Sequence, residues 1–194
     1  MGFSITWCAF REEKTAELIE SLRLKPTGER DDGADSPVVA GKLNTGWRIL
    51  WCNKYGCSLL APKVLTDLSR NAEILLCLVE EHVMASSAEL WSEGKLKWRI
   101  SHQGDHGPKG IKTVGHPPES YPAIREEMEK AQLEAGGDKA EVDYIFEIPL
   151  KVAQGMVGFK HDEPCPHLQG GTFEVMSREE PEMRAGFWQR LLGR

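Results

Sequence analysis

A chain of 194 residues with 40% hydrophobic and 28% charged side chains is composed like an ordinary globular protein, long enough for one well-buried domain and short for two. No apolar run approaches the roughly 18 residues a membrane span needs, and MGFSITWCAFREE lacks the basic, apolar and small-residue pattern of a signal peptide. The net charge of −6 argues against nucleic-acid binding through phosphate neutralisation, and an odd five cysteines (Cys8, Cys52, Cys57, Cys77, Cys165) fit a reducing cytoplasm better than a disulfide framework.

Residues 3–10 alternate Phe3, Ile5 and Trp7 against Ser4, Thr6 and Cys8, the period of a half-buried strand. Residues 12–24 change to helical spacing, with Ala16, Ile19, Leu22 and Leu18 available for one face, and Pro26 and Gly28 are expected to end that helix. Residues 29–37, ERDDGADSP, offer no apolar anchor and read as an exposed loop. Residues 46–52 form the next expected strand, with Trp47, Ile49 and Trp51 on one side; residues 53–56 (NKYG) turn the chain, and 57–60 return as a short partner strand. Pro62 opens a helix to about Arg70. Residues 74–79 are apolar throughout, as a central strand covered on both faces should be.

A hairpin follows. A three-residue loop, Ser92-Glu93-Gly94, sets Leu90 opposite Leu96, Ala88 opposite Trp98, Ser86 opposite Ile100 and Met84 opposite His102, and pairs Glu89 with Lys97 and Ser87 with Arg99 on the other face. Residues 103–118 are rich in glycine and proline and read as a long loop. Beyond it come a helix over 121–135 stopped by Gly136-Gly137, a short strand or helix lead-in at 142–146, a helix carrying Pro149 in its first turn and ending at Gly158, a strand over 173–176 and a terminal helix over 181–192. The expected class is α+β: an antiparallel sheet in β-α-β-β-α-β-β order over 3–102, a ferredoxin-like variant with two helices on one face, and a mostly helical 119–194 part covering what remains of a single domain.

Chemistry concentrates on histidines. On an unbroken long strand, Glu80, His82 and Met84 point to the same side as His102, so His82 and His102 could hold one zinc-like divalent metal or share acid–base work, with Glu80 beside them and Asp105 and His106 closing from the loop. The competing reading is two histidines at the rim of a core. No cofactor is otherwise expected. The run Lys160-His161-Asp162-Glu163-Pro164-Cys165-Pro166-His167 carries metal-compatible atoms at no zinc spacing and reads as a stiff surface loop. Dinucleotide-binding, Walker, zinc-protease and serine-elbow motifs do not occur. Trp47, Trp51 and Trp98 are expected to line a core or pocket, and Trp188 is a candidate contact residue.

Residues 119–147 hold nine acids against three bases, an excess of six that equals the net charge of the whole chain. Glu126, Glu127, Glu129 and Glu134 in this stretch are candidates for meeting a basic protein partner.

Several segments, among them Val79-Glu80-Glu81-His82-Val83-Met84, Trp91-x2-Gly94-x3-Trp98-x3-His102, Val142-Asp143-Tyr144-Ile145-Phe146-Glu147-Ile148-Pro149 and Gly158-Phe159-Lys160-His161-Asp162, resemble a group of bacterial proteins with no assigned activity. The resemblance implies a bacterial cytosolic protein and supplies no reaction or ligand. Three functions are therefore expected in order: a non-enzymatic binding protein, such as a toxin-neutralising immunity protein, using its acidic surface; a small metal-dependent or acid–base enzyme using Glu80, His82 and His102; and a small-ligand sensor with a Trp-lined pocket.

Overall fold

The computed structural model describes residues 2–105 and 110–179. His106, Trp188 and the expected helix over 181–192 lie outside the described residues. Nine strands form one antiparallel sheet: β1 (Ser4–Arg11), β2 (Leu24–Asp31), β3 (Val38–Lys42), β4 (Trp47–Cys52), β5 (Ile74–Glu80), β6 (Ala85–Ser92), β7 (Lys95–Gln103), β8 (Lys112–Gly115) and β9 (Phe173–Arg178), in the spatial order β2-β9-β3-β4-β1-β5-β6-β7-β8. Helices α1 (Thr15–Ser21) and α2 (Pro62–Leu68) cover one face, and α3 (Tyr121–Glu134) and α4 (Glu147–Val157) cover the other.

Alternation within the strands assigns side chains to the two cores. In β1, Ile5, Trp7 and Ala9 pack toward α3 and α4, while Cys8 and Phe10 pack with Leu18 of α1, Leu22 just after it and Leu65 of α2. Burial on both faces explains the continuous apolar run of β5 and corrects the half-buried reading of residues 3–10, since Thr6 and Cys8 of β1 are buried as well as Ile5 and Trp7. The α+β class, the antiparallel sheet and the division of helices between the faces all stand.

The element order departs from expectation in several places. The first helix ends at Ser21, not near Pro26, because Arg23 takes a left-handed conformation (φ 54°) and turns the chain into β2; its buried residue is Leu18, joined by Leu22 at the cap, with Ala16 and Ile19 left more open. Pro26 and Gly28 lie inside β2, an edge strand paired only with β9, where the ring needs no ladder donor. Residues 29–37 are not a free loop: Glu29 to Asp31 belong to β2, and Ala34 is buried. Residues 57–60 form a single 3-10 turn (Ser58–Leu60) instead of a strand. β3 was not expected at all. Its Gly41 is required by packing, since a Cβ there would stand 2.6 Å from Leu168 and 2.8 Å from Phe173.

The long strand is also broken. A 3-10 turn, Glu81–Val83, with Met84 in the left-handed region (φ 49°), folds β5 back onto β6. The β6–β7 hairpin closes through a two-residue loop, Glu93-Gly94, both residues with positive φ as a type I′ turn demands, and a bulge leaves Lys97 as the extra residue. Leu90 therefore opposes Trp98, Ala88 opposes Ile100, Ser86 opposes His102 and Glu89 opposes Arg99. This register is offset by two residues from the expected one. An even offset preserves faces, so the core assignment of Leu90, Ala88, Trp98 and Ile100 survives the correction. Within the expected long loop, residues 112–115 form β8 on the edge of β7.

Candidate functional site

The broken strand takes the expected His82–His102 pair apart. Val79 packs into the α3/α4 core and Glu80, the next residue, faces the other side of the sheet, whereas His102 lies on the α3/α4 side with Trp98 and Ile100. Glu80 caps the 3-10 turn instead: its carboxylate accepts the His82 amide at 3.3 Å and the Ser4 hydroxyl at 2.5 Å, and its Oε1 stands 2.7 Å from His82 Nδ1. His82 is exposed, and Asp105 is exposed just beyond β7.

His102 is sealed in. Its Nε2 donates to Asp143 Oδ2 at 2.7 Å, while Asp143 Oδ1 accepts the Ile145 and Phe146 amides that open the 3-10 turn before α4. Across the pair, Ser86 Oγ donates to the Phe146 carbonyl at 2.7 Å. Burial alone would raise the Asp143 pKa, but the His102 hydrogen bond and charge and the two amides outweigh it and lower it. Four groups thus fasten β6 and β7 to the connection between α3 and α4. This is a structural latch. Among the described residues, no three His, Cys, Asp or Glu side chains gather as a metal group.

The concave feature with chemistry lies on the same face of the sheet, toward its β9 side. A hollow of about 340 Å³ is lined by Trp51 of β4, Phe159 and His161 after α4, Phe173 of β9, Asp32 and Ala34 in the bend after β2, and the Glu163–Cys165 stretch. Trp51, Phe159 and Phe173 meet edge to face at centroid distances of 6.1–6.4 Å, a rigid aromatic wall. The bend is built by two side chains. The Asp31 carboxylate accepts the amides of Gly33, Asp35 and Ser36. Asn53 accepts from Trp51 Nε1 at 2.8 Å and donates to the carbonyls of Ala34 and Ser36.

Two basic residues follow α4 in sequence with opposite fates. Lys160 is buried and clamped by Asp162 at 2.9 Å, Glu147 at 3.0 Å and Glu163 at 3.4 Å. Burial opposes its charge, but the carboxylates win and hold its pKa above the ordinary value. The His161 side chain is 1% exposed, yet neither ring nitrogen has a hydrogen-bond partner among the described residues. The nearest carboxylate oxygens, of Glu81 and Asp162, stand at 3.5 and 3.6 Å, too far for a good hydrogen bond. Burial lowers the His161 pKa against the pull of those acids, so the ring is neutral at pH 7, with one donor and one acceptor. Phe3 meets its edge at 4.8 Å.

Of the expected pocket residues, Trp51 lines the hollow. Trp98 is core, and Trp47 is buried beneath the Arg11 guanidinium, 3.9 Å from its ring centre. Glu126, Glu127, Glu129 and Glu134 are exposed on α3, where Glu129 pairs with Arg125 and Glu134 with Lys130. Sequence reasoning singled out the 160–167 run but assigned it a surface loop. The signal it lacked was the pairing of β3 with β9, which carries Phe173 to Trp51 across 122 positions of chain.

Comparison of the chain with family models, curated proteins and solved structures returned no significant match.

Proposed function

We propose that the protein acts by binding, and that the hollow beside His161 takes a small, flat ligand with a hydrogen-bonding edge. One observation carries the reading: a buried, neutral imidazole whose nitrogens make no well-formed hydrogen bond, with Glu81 and Asp162 no nearer than 3.5 and 3.6 Å, forms part of the wall of an aromatic cavity. An unpaired buried polar group costs about 1–3 kcal/mol, which folding alone does not recover. A ligand edge offering one acceptor and one donor recovers it, and Trp51, Phe159 and Phe173 supply apolar walls for the ring. Titration of the protein with adenine, benzimidazole and nicotinamide tests the reading. The expected result is saturable quenching of tryptophan fluorescence and shifted His161 ring resonances, both lost in His161→Leu. His161 resonances undisturbed by all three at millimolar concentration would overturn it.

The second reading is a basic protein partner, such as a toxin neutralised on binding, at the outer face of α3. It is favoured by Glu126 and Glu127, both exposed, and by Leu133 farther along the same helix, an apolar side chain 75% exposed. Affinity for such a partner is expected to fall about tenfold or more in Glu126→Lys/Glu127→Lys and to weaken with salt. Indifference to ionic strength would remove it.

A further inference from the structure

The wall of the hollow also carries a nucleophile. All five cysteines are free, but Cys8, Cys52, Cys57 and Cys77 are buried in the two cores, whereas Cys165 is partly exposed and lines the hollow. Pro164 and Pro166 stiffen the backbone on either side of it. Its thiol donates to the Gly158 carbonyl at 3.9 Å, a weak tether to the end of α4. Its own carbonyl accepts the Leu168 amide at 3.2 Å, closing a turn that brings Leu168 into the same lining.

A cysteine in a wall is not by itself a binding site. Here it shares the wall with His161, whose side chain is 1% exposed and whose nitrogens make no well-formed hydrogen bond. A flat ring against Trp51, Phe159 and Phe173 therefore meets an unsatisfied hydrogen-bonding group and a sulfur in one cavity. The surrounding charges select a neutral ring. Asp32 and Glu163 stand in the lining, and Lys160, the neighbouring cation, is already taken up by Glu147, Asp162 and Glu163. A volume of about 340 Å³ lies at the low end for small-molecule sites and suits a single ring. Building on the binding role of the hollow, we propose that it captures a neutral, planar α,β-unsaturated carbonyl compound, with Cys165 adding to the ligand and His161 donating to its carbonyl oxygen.

The reaction is a conjugate addition, with no leaving group and no redox partner. The Cys165 sulfur forms a bond to the β-carbon, and the π pair of the C=C bond moves toward the carbonyl as an enolate. The proton lost by the thiol ends on the α-carbon. An imidazole N–H aimed at the oxygen stabilises the charge as it develops. Cysteine is strongly nucleophilic even when little of it is ionised, and holding the ring in the hollow adds the advantage of orientation.

Maleimide is the probe, since its ring is flat and its imide edge offers an acceptor beside a donor. The reduced full-length protein is treated at pH 7, and adducts are located on the tryptic peptide 161–178, whose one cysteine is Cys165. A single adduct is expected there. Its rate should saturate with maleimide concentration and exceed that of the same residue in urea by about tenfold or more. His161→Leu should slow it by about tenfold or more, and benzimidazole should protect. The comparison of native with unfolded wild type does not depend on any variant folding. Saturable His161 shifts with benzimidazole, alongside native Cys165 reacting linearly and no faster than in urea, would overturn the capture and leave the binding role standing. His161 resonances undisturbed by adenine, benzimidazole and nicotinamide would overturn both.

Discussion

His161 and Asp143 carry opposite energetic roles at the scale of single residues. His161 is buried without a well-formed hydrogen bond, so His161→Leu is expected to leave stability at pH 8 unchanged or raise it by about 1 kcal/mol, measured by urea unfolding. A loss above about 2 kcal/mol would assign it a structural role instead. Its depressed pKa also sets a pH window. The unfolded ring gains its proton near 6.5 and the folded ring only below that, so stability falls as pH drops beneath 6.5. The groups that bear on it are Glu81 from the turn after β5, its neighbours Lys160 and Asp162, and Asp32 and Glu163 on the hollow. His161→Leu is expected to flatten this slope between pH 6.5 and 5. Asp143 is the reverse case: it is fully partnered, and Asp143→Ala leaves His102 buried without its acceptor, at about 1–3 kcal/mol. The folded carboxyl titrates below its ordinary value of 3.8, so its contribution is present above pH 3.8 and is lost as pH falls through the lower folded value.

Elements here are fixed by close approaches as much as by propensity. The Lys97 bulge pushes its carbonyl toward β8, and a Cβ on Gly115 would lie 2.0 Å from that oxygen at a backbone φ of +72°. Gly115→Ala is therefore expected to cost about 3 kcal/mol or more and to release β8, read as lost amide protection over 112–115. The start of α4 depends on Lys160, whose ammonium joins Glu147 in the first turn to Asp162 and Glu163. Lys160→Met removes the cation and leaves the buried side of that cluster uncompensated, with an expected loss of about 3–5 kcal/mol in chemical denaturation. The same two elements show why local patterns mislead. Pro26 and Gly28 look like helix stops and are tolerated in β2 because one side of an edge strand needs no partner. The Glu93-Gly94 loop was misjudged because a bulge three residues later restores the face pairing that a longer loop would have produced.

Across the whole molecule, the sheet grades from a sealed centre to open edges. β1 lies between β4 and β5 with both faces covered, whereas β8 is exposed along all four residues and β2 is held only through β9. Hydrogen exchange is expected to be slowest at residues 5–10 and 75–79 and fastest in β2 and β8; equal protection across the sheet would contradict this gradient. No helix among the described residues is long and apolar enough to cross a membrane. Local composition determined the central strands, the helices starting at Pro62 and Tyr121, and the stop at Gly158, because periodicity and caps are written in neighbouring residues. It offered Trp51 only as one of three tryptophans for a core or pocket, and Glu126, Glu127, Glu129 and Glu134 as acids that the structure leaves exposed. Only the tertiary structure decided which histidine matters. Strand pairing between residues more than a hundred positions apart placed Phe173 beside Trp51, Asp31 and Asn53 folded the bend that carries Ala34 there, and one left-handed residue, Met84, turned Glu80 away from His102. Such long-range pairings depend on the packing of the complete sheet, which no window of sequence contains.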